Sequence, residues 1–141
     1  MKSCTFFGHR NSPDNIEGKL YEVIEGMIID EAVQRFYVGN QGNFDRIVCA
    51  VLDELRKKHT HIQCVNVLAY MPDKNSEEHI FPTLLPEGLE NVPRKFAILK
   101  RNGWMLDNSQ IAVTYVKRSR GGAAKFSELA YKKGLKVINI E

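Results

Sequence analysis

"YVGNQGNFDRIVCAVLDEL", residues 37 to 55, starts as a strand and ends as a helix. Between the two, Gly39-Asn40-Gln41-Gly42-Asn43 makes a turn with two glycines. A strand feeding a helix this way aims backbone N–H groups and the positive end of the helix dipole at one spot outside the sheet. An anion is stabilised there, phosphate above all. The turn alone is a weak signal, because many α/β proteins use glycine at such corners for steric reasons. Beyond it, Phe44, Ile47, Val48, Val51, Leu52 and Leu55 mark one face of a helix, and Asn43 is its expected N-cap.

The same strand–helix alternation runs through most of the chain. "CTFF" (4–7) is a short strand ending at Gly8, and Leu20, Val23, Ile24, Met27 and Ile28 follow at helical spacing. "RFYVG" (35–39) is the second strand. "IQCVNVLAY" (62–70) is the third, apolar on both faces as a central parallel strand should be. "QIAVTYV" (110–116) is the fourth and "KVINI" (136–140) the fifth. Residues 121–133 form a helix with Phe126, Leu129 and Ala130 inward, and Gly134 stops it. Residues 71–109 break the pattern. Prolines at 72, 82, 86 and 93 exclude long regular structure from the first half, and a helix spans about Pro93 to Asn108. An irregular excursion of this length in a small α/β domain belongs to a site wall or lid.

These elements predict an α/β fold with three layers: a mainly parallel five-stranded sheet in the order 3-2-1-4-5, helices on both faces, and one domain over residues 1–141. A chain of 141 residues, 43% hydrophobic, is long enough for one real core. With 26% charged residues and a net charge of +3, it is too evenly mixed to argue for nucleic acid on charge. Cys4, Cys49 and Cys64 are odd in number and lack CxxC spacing. This points to packed, reduced thiols in the cytoplasm rather than a disulfide frame or a metal site. No signal-type or membrane-length apolar run is present.

In a parallel sheet, ligands bind outside the carboxyl ends of the strands, where the winding direction reverses. The loops expected on that edge are "GHRNS", "GNQGN", the excursion and "KRSRGG", carrying glycines with Arg10, Lys117, Arg118 and Arg120. The opposite edge has plain polar connections such as "KKHTH". His59 and His61 therefore read as exposed loop histidines rather than metal ligands.

Four stretches in this order, "TFFGHR", "YVGNQGNFD", "KRNGWMLDNS" (100–109) and "RGGAAKFSELAYKKGLKVINI", resemble the SLOG superfamily, and more closely its YpsA-like branch of small bacterial Rossmann-like proteins. That superfamily includes the LOG phosphoribohydrolases and the core of the DNA-processing protein DprA. The resemblance implies a Rossmann-like fold with a pocket for a nucleotide or nucleotide-derived ligand. The LOG motif "PGGxGTxxE" is matched by Gly121, Gly122 and Glu128, and departs at Arg120, Ala124 and Lys125. Gly39, Gly42 and Asp45 fit the earlier glycine motif, in which Asn40 replaces a second glycine. Glycine lets backbone approach phosphate, and a carboxylate can grip ribose hydroxyls.

The candidate ligand-binding residues are Gly8, His9, Arg10, Gly39, Asn40, Gln41, Gly42, Arg101, Asn102, Arg120, Gly121 and Gly122, and the candidate catalytic carboxylates are Asp45 and Glu128. Each also has a plain structural reading. Gly8 can end a strand, His9 and Arg10 can cap a helix or pair with a surface acid, and Asp45 can simply favour its helix dipole, worth under about 1 kcal/mol. Acids are common where Glu128 lies, and Trp104 reads as core or lid packing. The first functional expectation is a binding or sensing protein that does not turn its ligand over. Second is a hydrolase of the N-glycosidic bond of a nucleotide. A nucleic-acid module using Lys100, Arg101, Lys117, Arg118 and Arg120 ranks last, because aromatics are not interleaved with those cations. No cofactor, metal or membrane partner is expected, and pairing into a homodimer stays open.

Overall fold

The computed structural model describes residues 1–71, 79–117 and 119–141. Among these residues, six strands form one sheet: β1 (Lys2–Gly8), β2 (Val33–Val38), β3 (Gln63–Val67), β4 (Thr83–Leu84), β5 (Ile111–Tyr115) and β6 (Lys136–Asn139). Their order is β4-β3-β2-β1-β5-β6, and every pairing is parallel. The helices are α1 (Glu17–Asp30), α2 (Gly42–Lys58), α3 (Arg94–Asp107) and α4 (Gly122–Lys132). The chain is thus α/β with a parallel sheet, but of six strands rather than five.

The added strand, β4, is two residues long and lies between Pro82 and Pro86, too short for any periodicity to mark it. It is held by β3, whose Asn66 and Leu68 N–H groups donate to the Pro82 and Leu84 carbonyls. β3 is an interior strand, paired in parallel with β2 on one side and β4 on the other, but it ends at Val67, and the apolar run expected to reach Tyr70 continues as a loop in which Leu68 and Ala69 are buried. The strand at the centre is β1, flanked by β2 and β5 and buried from Ser3 to Phe7.

Alternation along β1 builds the two cores. Cys4 and Phe6 point into the larger one, where α1 contributes Leu20, Ile24 and Met27, and α2 contributes Phe44, Val48 and Leu52. Phe7 points the other way, into a core shared with Met105 and Leu106 of α3 and Phe126 and Ala130 of α4. There its ring stacks on Phe126 at 5.5 Å. Burial of each such side chain contributes roughly 1.5–3 kcal/mol. Gly134, at φ 85°, closes α4: its N–H reaches the Tyr131 carbonyl, and the next N–H, from Leu135, reaches Ala130.

The start of α2 departs from expectation. Asn43 lies inside the helix and does not cap it. Its Nδ2 instead donates to the Ser12 carbonyl at 2.6 Å and to Asp14 Oδ1 at 2.8 Å, tying α2 to the loop after β1.

Candidate functional site

A cleft of about 290 Å³ opens at the carboxyl ends of the central strands. Gly8, His9 and Arg10 bring the loop after β1 to it, Gln41 and Asp45 the turn after β2, and Gly121, Gly122 and Ala123 the start of α4. One wall is the face of α3 that carries Ile98, Asn102 and Met105, at helical spacing i, i+4, i+7. The winding reverses here: β2 and β3 follow β1 on one side, and β5 returns to its other side.

The glycine turn after β2 does not present a free helix end. Gln41 is the N-cap of α2, and its N–H donates to Asp45 Oδ2 at 2.9 Å. The Asn43 N–H donates to the Arg10 carbonyl at 2.8 Å. The anion favoured by this helix end is the protein's own carboxylate. Gly42, at φ +84°, sets the approach: a Cβ there would stand 2.7 Å from the Arg10 Cα. Gly39 is required for a second reason, since its Cβ would fall 2.8 Å from Asp45 Oδ2 and 3.1 Å from the Arg101 guanidinium.

Burial raises the Asp45 carboxyl to about 6, against the pull of the Gln41 N–H and of the Arg101 and Arg10 charges. Arg101 reaches under the α3 wall and is only 2% exposed. Its hydrogen bonds go to neutral oxygens: Nη1 to the Val67 carbonyl at 3.0 Å and Asn40 Oδ1 at 3.4 Å, Nε to Asn102 Oδ1 at 2.8 Å. Burial lowers its pKa, and the Asp45 charge opposes that. A buried guanidinium satisfied mainly by neutral groups still favours a nearby anion.

His9 is buried and joins two loops of the cleft. Its Nε2 accepts the Lys117 N–H at 3.0 Å, leaving the proton of the neutral ring on Nδ1. Its backbone N–H reaches the Tyr115 carbonyl, and its carbonyl accepts from the Ser12 hydroxyl at 2.6 Å. Across the cleft, Gly121 is the N-cap of α4, at φ 101° and ψ 175°, a conformation open essentially to glycine alone. Among the described residues no side chain caps this helix. Its first intrahelical bond, from the Lys125 N–H to the Gly121 carbonyl, leaves the N–H groups of the first turn available to a ligand.

Of the residues expected from sequence, Gly8, His9, Arg10, Gln41, Asp45, Arg101, Asn102, Gly121 and Gly122 share this cleft. Gly39, Asn40 and Gly42 stand behind it and shape the Arg10, Asp45 and Arg101 positions. Arg120 is exposed and outside the lining. Glu128 is outside too. It lies two residues from both Phe126 and Ala130, the buried face of α4, so its side chain turns to solvent, where it is 71% exposed and pairs with Lys132 at 3.3 Å. Gly8 has a packing role: a Cβ would run into the Phe44 ring. The expected basic strip is interrupted, since Arg101 is buried while Lys100 and Lys117 are exposed. Arg118 and Pro72 lie outside the described residues. Trp104 packs edge-on against Tyr37 at 5.1 Å, and His59 Nε2 is 2.8 Å from Glu25 Oε2. Sequence reasoning missed the apolar lining from Ile98, Leu99, Met105 and Phe126, although the i, i+4, i+7 spacing on α3 carried the signal.

The sheet and helices are those of a known fold. The structure of DNA processing protein A (DprA) from Streptococcus pneumoniae superposes with a TM-score of 0.71 at 13% identity, over 97% of this chain and 49% of that one. This chain therefore has the Rossmann-like fold found in DprA and spans about half of that protein's length. No protein-family profile matches the sequence. No curated protein matches it either. Among the described residues, no helix is long and apolar enough to cross a membrane.

Proposed function

We propose that this chain binds a nucleotide or nucleotide-derived ligand in the cleft, as a sensing or regulatory protein of the SLOG superfamily's YpsA-like type. The observation that carries the reading is the uncapped start of α4 in the same open cleft as a buried arginine. The ligand's phosphate sits against the Gly122 and Ala123 N–H groups, with the exposed Arg10 beside it. Its sugar lies toward Asp45, and its base lies along the apolar wall of α3. The shared fold with DprA, whose name ties it to DNA, supports a nucleotide-related role and keeps single-stranded nucleic acid as a second reading.

If the ligand is turned over, Asp45 is the carboxyl group placed to act. It lines the cleft, and at about 6 its pKa is near the working range of an acid/base group. Thermal melting in the presence of AMP, GMP, the matching nucleosides and inorganic phosphate tests the binding reading. Nucleotides should raise the melting temperature well above the effect of nucleosides, and the gain should shrink with added salt. Equal stabilisation by nucleoside and nucleotide would remove the phosphate from the site. A longer oligonucleotide stabilising more than any mononucleotide would favour the second reading.

A further inference from the structure

Four side chains at the cleft form a hydrogen-bonded chain whose polarity is set by one guanidinium. Arginine only donates. Nε of Arg101 donates to Asn102 Oδ1 at 2.8 Å and Nη1 to Asn40 Oδ1 at 3.4 Å, so both carboxamide oxygens turn toward it. Asn40 Oδ1 also accepts from Gln41 Nε2 at 3.3 Å, which turns the Gln41 nitrogen away from the cleft. The two carboxamides that line the cleft therefore keep opposite groups for a ligand. Asn102 offers its Nδ2 hydrogens, and Gln41 offers Oε1. Among the described residues, neither atom has a protein partner.

Asn102 is the one polar residue on its strip of α3, with Ile98 a turn before it and Met105 a turn after. An apolar strip with a single oriented donor suits the edge of a flat heterocycle. We infer that the cleft selects a base with a lactam edge, –NH–C(=O)–, as in a 6-oxopurine or 4-oxopyrimidine nucleotide. Asn102 Nδ2 donates to the oxo group, and Gln41 Oε1 accepts the ring N–H. An amino base presents the reverse polarity, an exocyclic donor beside a ring acceptor. Matching it requires turning an amide oxygen away from the buried Arg101, which leaves that guanidinium short of an acceptor. This inference rests on the nucleotide reading above.

IMP and AMP differ in that edge alone, so calorimetric titration of the whole chain with each is the test. IMP should bind at least about 10-fold tighter than AMP, the scale of one hydrogen bond made rather than opposed. Asn102→Ala should cut the ratio several-fold, leaving only the share that Gln41 Oε1 contributes. Asn102→Asp keeps an oxygen for Arg101 while presenting a second acceptor to the ligand, and should move the preference toward AMP. If neither nucleotide binds, the nucleotide reading falls and this one with it. If both bind within about twofold in the unaltered protein, or if Asn102→Ala keeps the IMP preference undiminished, the base assignment alone is overturned.

Discussion

The two glycine turns on the carboxyl edge of the sheet look interchangeable in sequence and behave oppositely in the fold. After β2, the Gln41 N–H at the start of α2 is held by Asp45 and the Asn43 N–H by the Arg10 carbonyl. At the start of α4, no side chain caps the helix among the described residues. The deciding residue is the fourth of each helix. In α2 it is Asp45, a carboxylate able to reach back over the turn. In α4 it is Lys125, which has nothing to accept with. A glycine turn before a helix is thus an anion site only when the helix carries no acid of its own to fill it.

The strongest way to break this comparison is to add a methyl group to each turn. Gly42→Ala places a Cβ 2.7 Å from backbone at Arg10, at φ +84°, so the chain must move as well as adopt a left-handed conformation. We expect a loss of about 3 kcal/mol or more in chemical denaturation. Gly121→Ala has the strained φ of 101° but meets nothing within 4 Å, and should lose only about 1–2 kcal/mol. Equal losses would mean that the turn after β2 is no more tightly packed than the other.

The next effect is read in pH. Asp45 holds its proton to about 6 when folded, against 3.8 for its ordinary value. Between those two values the unfolded chain has released the proton and the folded chain has kept it. Stability from this group is therefore greatest below about pH 4 and falls as pH rises to about 6. Asp45→Asn removes this dependence. The stability of the variant relative to the unaltered protein should rise by about 2 kcal/mol between pH 4 and pH 6.5, whatever constant offset follows from leaving Arg101 without its neighbouring charge. A difference that stays flat across that range would place the Asp45 carboxyl in water.

What could be read from the chain was whatever repeats. Phe44, Ile47, Val48, Val51, Leu52 and Leu55 are all buried on one side of α2, as their spacing requires. The relative order of the five longer strands, β3-β2-β1-β5-β6, is the one that strand–helix alternation predicts. What could not be read depended on contacts between distant residues. β4 exists only because β3 offers it hydrogen bonds, and nothing in "TL" announces a strand. Asn43 has a cap's chemistry, but Ser12 and Asp14 take its side chain first. At the site, glycines and charges mark the correct loops, yet the motif that singles out Glu128 carries no information on the face of α4 it occupies, which Phe126 and Ala130 decide by taking the buried side. Arg101 is a pocket residue as its position suggests, but its near-complete burial is not legible in sequence, because it depends on Val67, Asn40 and Asn102, supplied by other segments and by its own neighbour.

The smallest change in stability should accompany a clear change in binding, at Gly122. This residue is helical, exposed and part of the cleft, and an added Cβ would meet nothing within 4 Å. Alanine is the better helix former, so Gly122→Ala should leave stability unchanged or raise it by about 0.5 kcal/mol. The same methyl group stands where a phosphate must approach the open N–H groups of α4, and nucleotide affinity should fall at least about 10-fold, since that approach depends on bare backbone. Gly103→Ala is the control. Gly103 also has open space around it and lies on α3, outside the cleft lining, so its substitution should stabilise without touching affinity. If Gly122→Ala binds nucleotide as well as the unaltered protein does, phosphate is not held at α4, and the contrast between a filled helix end and an open one loses its functional meaning. If only Gly122→Ala weakens binding, the open end is the site, and the filled one is scaffold.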